Sequence, residues 1–207
     1  MRRFLREQSL SLVFLAMFLA ALVGQAIAGH AEYNNEQIAH MSATVSLWRY
    51  LVSSEFGQAV MENWQSEYLQ FTTFILLTVW LVQKGSPESK KLDEIGPDSD
   101  KSARRSWVRE NSLVLVMGSI WVGTWFAQSV TGWTAYNAEQ VDHHEQTVNW
   151  LGYITSAEFW ETTLQNWQSE FLAVGSMAVL AIYLRQRGSP ESKPVGAPNE
   201  DATGSEA

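Results

Sequence analysis

The chain repeats itself, and this repeat constrains its fold more than any other feature. Residues 6–90 align with residues 109–193 without a gap, and about 34 of the 85 aligned positions are identical. The best-matched blocks are short and polar: NWQSE at 63–67 and 166–170, and GSPESK at 85–90 and 188–193. One structural unit is therefore expected to occur twice.

Each unit contains two apolar runs. Residues 9–29 and 112–132 carry no charge and are long enough to cross about 30 Å of hydrocarbon. The second runs, 68–82 and 171–184, are short for a span. Their polar flanks can lie among the headgroups, and an even number of crossings keeps the matching ends of both units on one side. We therefore predict four transmembrane helices, and the ten Trp residues suit a protein anchored at two interfaces.

Basic residues indicate the orientation of these helices. The loops 30–67 and 133–170 contain only one of the 14 Lys and Arg residues, Arg49, but about half of the 22 acidic residues. Because positively charged flanks stay in the cytoplasm, both termini and the linker are predicted inside and both loops outside. Two crossings per unit then make the repeats parallel, related by a pseudo-twofold axis along the membrane normal.

The predicted fold class is an all-α membrane four-helix bundle with helical outer loops. The first repeat covers 1–91, a polar cytoplasmic linker 92–106, the second repeat 107–193, and a disordered cytoplasmic tail 194–207. Cleavage of residues 1–28 as a signal peptide is the alternative for the first run, but the matching run 112–132 cannot be a signal peptide. We expect a location in the bacterial cytoplasmic membrane.

Small residues recur every four positions on the first helix and at the aligned positions of the third. Such a stripe lets helix backbones approach closely in lipid, so helices 1 and 3 are predicted to pack through it. The alternative is that small residues are simply common in membrane helices. The stripe residues that define this predicted contact are Ala20, Gly24, Ala28, Gly123 and Ala127.

Several polar residues are candidates for an ion site or a polar contact. Two lie inside the apolar runs, and four belong to the NWQSE blocks, where a carboxylate stands at the start of an apolar run. They are Gln25, Gln128, Asn63, Asn166, Glu67 and Glu170. The alternative for the carboxylates is a solvated position at the membrane interface. Each loop is predicted to hold two helical pieces, the second running from Ser54 to Gln83 in the first repeat.

A Glu and a His share a helix face in each loop because they are four residues apart. These pairs, Glu36 with His40 and Glu139 with His143, could together bind Zn²⁺ or another divalent metal. An ordinary Glu–His pair on a wet helix surface is the alternative. The GSPESK blocks are interpreted as helix stops, with the Gly at the C′ position.

These motifs also carry a resemblance. The start RRFLRE at 2–7, the NWQSE blocks and the end RQRGSPESKP at 185–194 resemble a bacterial family known only as a domain of unknown function. The resemblance covers 1 to about 194. It implies a bacterial cytoplasmic-membrane protein and supplies no activity or catalytic residue.

Three function classes follow from this pattern. With no catalytic set and no Cys, the first is a non-enzymatic membrane protein that binds lipid and either itself or another membrane protein. The second is a small cation or solute channel or transporter that uses the acidic outer face. The third is a metal site on the outer loops, with no other cofactor expected. The net charge of −8 argues against nucleic acid as a partner.

Overall fold

The computed structural model describes residues 2–97 and 106–200, and these are helical throughout apart from turns and connecting segments. The α-helices are α1 (Arg2–Glu7), α2 (Ser9–Ala39), α3 (Leu47–Leu51), α4 (Ser54–Trp80), α5 (Trp107–Glu110), α6 (Ser112–Asp142), α7 (Trp150–Ile154) and α8 (Ala157–Tyr183). A short 3₁₀ helix, Leu92–Glu94, follows the first four. The predicted all-α class is confirmed.

Apart from the starts of α1 and α5, matching helices begin and end at aligned positions of the sequence. Both α2 and α6 have 31 residues, and both α4 and α8 have 27. A one-residue break separates α1 from α2 at Gln8, and the break between α5 and α6 falls at the aligned Asn111. The two halves of the sequence therefore form the same helices in the same order.

Two helices, α2 and α6, are long and apolar enough to cross a membrane. The predicted spans 9–29 and 112–132 lie within them, but each helix continues for about three more turns beyond the span. The first helical piece predicted in each loop is therefore continuous with the preceding apolar helix. The segment that carries Glu36 is the end of α2, because no Pro or Gly follows Gly29 to interrupt the helix.

The helices α4 and α8 begin as the sequence predicts. The Oγ atoms of Ser53 and Ser156 each accept a hydrogen bond from the backbone N–H three residues later. However, α4 ends at Trp80 rather than Gln83. The reason lies in the loop that follows, where Ser89 Oγ accepts from the backbone N–H of Gln83 and so replaces a helical hydrogen bond.

The chain divides into two compact units. Unit 1 comprises Met1–Val60 and Val130–Trp150, and unit 2 comprises Met61–Ser129 and Leu151–Ala207. Each unit combines segments from both halves of the sequence. The core of unit 1 is aromatic, because the buried ring of Tyr50 packs on His30, Tyr33 and Phe56 with ring centroids 5.4–5.9 Å apart.

The core of unit 2 mixes apolar and polar side chains. Tyr153 and Phe159 are buried with their rings 5.5 Å apart, as are the aligned Tyr50 and Phe56 at 5.4 Å in unit 1. Burial raises the pKa of the Tyr153 hydroxyl, which the nearby charges of Glu158 and Glu62 raise further. This hydroxyl therefore stays neutral.

The segment that follows the second GSPESK block is tied to the end of α8. Arg185 donates hydrogen bonds to the carbonyl of Ile182 and to Oδ1 of Asn199, and the buried Lys193 donates to the Asn199 carbonyl. The tail that the sequence predicts to be disordered starts at 194. The part of it that the structure describes, up to 200, makes these specific contacts. The rest of that predicted tail, 201–207, and most of the predicted linker lie outside the described residues.

Candidate functional site

An Asn in each loop holds the chain that folds back after the long helix. In the first loop, Asn34 Nδ2 donates to the Val45 carbonyl and Asn34 Oδ1 accepts from the Val45 N–H, at 3.1 and 2.8 Å. The aligned Asn137 makes both bonds to Val148, each 2.9 Å long. The identical Tyr-Asn block therefore has a structural role, because its amide imitates a paired backbone.

A second side-chain nitrogen lies at the same carbonyl in each loop. Trp133 Nε1 donates to the Val148 carbonyl at 2.8 Å, and His30, its aligned residue, places Nε2 2.8 Å from the Val45 carbonyl. The same Nε2 atom of His30 also lies 2.9 Å from Asn34 Nδ2. His30 therefore belongs to the polar group that holds the returning chain in the first loop.

The predicted metal-binding histidines are neighbours in unit 1. The rings of His40 and His143 lie 5.7 Å apart, edge to face. Glu139 Oε1 is 3.9 Å from His143 Nε2, and both side chains are more than half exposed. Within 2–97 and 106–200, no group of three or more His, Asp or Glu side chains is arranged to hold a metal ion. Two imidazoles therefore meet, without a converging carboxylate set.

The polar candidates of unit 2 join helices to one another. Gln128 on α6 is buried and its Nε2 lies 3.5 Å from Thr163 Oγ1 on α8, which is also buried. The Ser66 hydroxyl on α4 donates to the Asn63 carbonyl of its own helix. It also lies close to the carboxylate of Glu170 on α8, which is within range of the charge of Glu67. Gln128 and Glu170 therefore each lie against a polar side chain of another helix.

The first NWQSE block contacts its neighbours through residues other than those predicted. Asn63 and Glu67 are exposed, whereas Gln65 and Ser66, between them, are fully buried. Gln65 Oε1 accepts a hydrogen bond of 2.8 Å from Trp167 Nε1, in the second block. Sequence reasoning missed Gln65 because a single helix does not reveal which of its polar faces meets another helix.

The remaining candidates are less enclosed. Gln25 is partly buried in α2. Asn166 is partly buried in α8, where its Nδ2 donates to the Thr162 carbonyl one turn earlier and so satisfies it within its own helix.

The small-residue stripe is open. Ala20, Gly24 and Ala28 are exposed on α2, a helix without a buried residue. A Cβ added at Gly24 or at Gly123 would meet no heavy atom within 4 Å. The stripe is therefore open at both of these glycines.

The two GSPESK blocks form the same loop. In each, the second Ser accepts from the backbone N–H of the preceding Gln, at 2.7 Å for Gln83 and 2.8 Å for Gln186. Gly85 and Gly188 have φ of +88° and +83°. Each Gly lies beyond the helix end, so the prediction of a C′ Gly was wrong. The loop is a turn in its own right, closed by its Ser.

The Glu residues of these two loops meet. Burial, followed by the charge of the neighbouring Glu191 and contact with its side chain, raises the pKa of Glu88. The neutral form of Glu88 is therefore favoured, because an ionised Glu88 would be repelled by the Glu191 carboxylate. The GSPESK sequence alone does not predict that Glu88 and Glu191 lie together, because this proximity involves both copies of the motif.

Tryptophans form a second feature that the sequence does not identify as a cluster. The ring of Trp125 contacts those of Trp121, Trp160 and Trp167 at 5.8–6.1 Å. Within the described part of the chain, the buried Nε1 atoms of Trp121 and Trp125 and the buried Nε2 of Gln65 have no hydrogen-bond partner. From the sequence, the high Trp content predicts only interfacial anchoring.

The fold defines an all-helical protein, and two of its described helices are long and apolar enough to cross a membrane. The chain belongs to the family described as a domain of unknown function (DUF6766), whose model matches residues 1–205. No curated protein and no solved structure matches it.

Proposed function

We propose that the chain is a non-enzymatic integral membrane protein that assembles with itself through α2. It arose by duplication of a two-span unit, crosses the bacterial cytoplasmic membrane four times and keeps both termini inside. In this arrangement α2 and α6 are the long apolar spans, and the apolar second halves of α4 and α8 complete each pair. The 27 residues of α4 extend about 40 Å, enough for a span plus a projecting turn or two.

The exposed α2 helix carries this proposal. A helix of 31 mostly apolar residues without one buried residue needs lipid or protein around it. Its stripe of small residues would allow a second helix to approach closely, which lipid tails alone do not require. Exposure and stripe together favour a second copy of α2 as the occupant.

The polar candidates support packing rather than conduction. Gln65, Gln128 and Glu170 are each engaged by a side chain from another helix. Hydrogen bonds of this kind hold membrane helices together. A channel would instead leave such groups facing an open path.

The test compares two neighbouring substitutions on α2. Gly24→Leu places a large side chain on the stripe, and because nothing lies within 4 Å of the Gly24 Cβ position, it should not disturb the single chain. Val23→Leu is the matched control, since Val23 is exposed on the adjacent face. We expect native mass spectrometry of protein in lipid nanodiscs to show a dimer for wild type and Val23→Leu, and a monomer for Gly24→Leu.

Two results would contradict the assembly. A wild-type chain that is monomeric in nanodiscs would refute self-assembly. If Gly24→Leu dimerises as strongly as the Val23→Leu control, the dimer interface does not include the Gly24 face of α2. The melting temperature of each variant shows whether a lost dimer reflects a lost fold.

The topology is tested separately, because the chain has no Cys. Single Cys substitutions at Thr44 and at Lys84 place one exposed thiol in the first loop and one directly before the first GSPESK block. An impermeant maleimide added to intact cells should label the first and not the second. Labelling of the Lys84→Cys variant would reverse the orientation.

Metal binding at the outer loops is the second candidate function, because the His40 and His143 rings are in contact. Two imidazoles provide half of a tetrahedral Zn²⁺ site, and exposed carboxylates or water would complete it. We expect Zn²⁺ to raise the melting temperature of the wild-type protein and not of His143→Ala. The control is His144→Ala, which removes the adjacent exposed His. If both variants lose the Zn²⁺-dependent rise in melting temperature equally, the pair of His40 and His143 is not the metal site.

A further inference from the structure

Unit 1 contains a half-open cleft of about 450 Å³ in the first loop. Its lining includes Tyr33, Gln37, Thr44, Val45, Arg49 and Ser53. This volume falls within the range of small-molecule sites in proteins. Most lining side chains can donate or accept hydrogen bonds, so the cleft suits a polar ligand better than an apolar one.

The backbone of the cleft is held in place. Val45, which forms part of the wall, is fixed through both its N–H and its carbonyl by Asn34. Ser46, the next residue, caps α3 by accepting from the Arg49 N–H at 3.4 Å. A wall fixed in this way loses little conformational freedom when a ligand binds.

Arg49 is the single basic side chain of the two loops. Its guanidinium makes no ion pair with any residue in the described ranges, although the loops are rich in carboxylates. A guanidinium in a cleft presents a planar fork of donors that fits a carboxylate. The cleft therefore offers a docking point for a ligand carboxylate.

Negative charges also act on Tyr33, which lines the same cleft. The carboxylates of Glu36, Glu55 and Asp142 all lie within range of the Tyr33 hydroxyl, on which Arg49 also acts. A simple anion would be repelled by these three groups. A ligand with a cationic group beside its carboxylate would satisfy both regions of charge.

We propose that this cleft binds a small zwitterion of the α-amino acid class, with its carboxylate on Arg49 and its ammonium group toward the carboxylates around Tyr33. The apolar wall at Val45 and Val52 would accept a short aliphatic side chain. This inference concerns unit 1 alone, and it does not depend on assembly through α2 or on the direction of the spans.

The repeat provides a natural comparison. Five of the lining residues recur unchanged in the second copy, as Tyr136, Gln140, Thr147, Val148 and Ser156. At the position of Arg49 the second copy has Gly152. Shared residues shape the loop in both copies, whereas the charge that would recognise a carboxylate occurs only once.

Three matched probes test the charge requirement on the full-length protein in detergent. L-valine carries both charges, isovalerate retains only the carboxylate, and isobutylamine retains only the ammonium group. Isothermal titration should show L-valine binding about tenfold or more tightly than either analogue, because removing one charge-assisted hydrogen bond weakens binding by at least that factor. If isovalerate binds as tightly as L-valine, the proposal that the ligand is a zwitterion is refuted. If L-valine does not bind at all, the proposed site is refuted.

Two variants locate the binding. Arg49→Gln should weaken L-valine binding about tenfold or more, while the melting temperature without ligand stays that of wild type, since the guanidinium is exposed and not in an ion pair. Gln140→Ala, in the second copy, should leave binding unchanged. Retained affinity in Arg49→Gln, or a comparable loss in Gln140→Ala, would place the ligand elsewhere.

Discussion

Replacing Gly85 or Gly188 by Ala tests the contact between the first GSPESK loop and the segment near Asn199. Both glycines have φ near +85°, and an L side chain there costs about 1–2 kcal/mol. Their surroundings differ. A Cβ on Gly85 would collide with the Asn199 carbonyl oxygen and lie 3.0 Å from Ile182 Cγ2, whereas a Cβ on Gly188 would meet nothing within 4 Å.

The difference in surroundings determines how much stability each substitution is expected to cost. Gly188→Ala should cost only the backbone strain, about 1–2 kcal/mol. Gly85→Ala should cost this strain plus about 1–3 kcal/mol for overpacking. The structure could relieve the collision by releasing Asn199, but that would break the hydrogen bonds from Arg185 and Lys193 to this residue. In either case, Gly85→Ala should lose more stability than Gly188→Ala.

Hydrogen exchange measured by mass spectrometry distinguishes the two variants. In Gly85→Ala, amides of residues 194–200 should exchange faster, and the melting temperature should fall further than in Gly188→Ala. In Gly188→Ala, exchange in that segment should match wild type. Equal effects of the two substitutions would mean that the Asn199 carbonyl does not lie against Gly85, and would refute the reasoning.

Three further predictions concern the loops. Asn34→Ala removes both bonds to Val45, so it should cost about 1–3 kcal/mol and accelerate exchange of the Val45 amide. Met41 has φ of +55° after α2, so Met41→Gly should stabilise the protein by up to about 1 kcal/mol in a thermal melt, and a loss of stability would contradict this. Because the pKa of Glu88 is raised beside Glu191, its contribution to stability is full below the usual carboxyl pKa and is lost as pH rises through the raised value. The melting temperature should therefore fall less steeply between acid and neutral pH in Glu88→Gln than in wild type. An equally steep fall in both proteins would contradict an interaction between Glu88 and Glu191.

The helices themselves could be predicted from sequence. Hydrophobic runs, a Ser at the start of α4 and α8, and the alignment of two halves specify where most helices begin, because these signals act within a few residues of the chain. The ends were harder to predict. Met41 and its aligned residue His144 adopt positive φ at the ends of α2 and α6 without a Gly to announce the turn. In α4, the end depends on Ser89, nine residues beyond Trp80.

Helical structure, duplication and long apolar helices all follow from the amino-acid sequence alone, since each can be read from composition, spacing and self-alignment. The pairing of polar residues follows only from the folded chain: Gln65 with Trp167, His40 with His143 and Glu88 with Glu191. This is because the period of a helix assigns residues to faces but does not say which face another helix covers. Partners roughly one repeat apart in the chain become visible only when the backbone brings the two copies together.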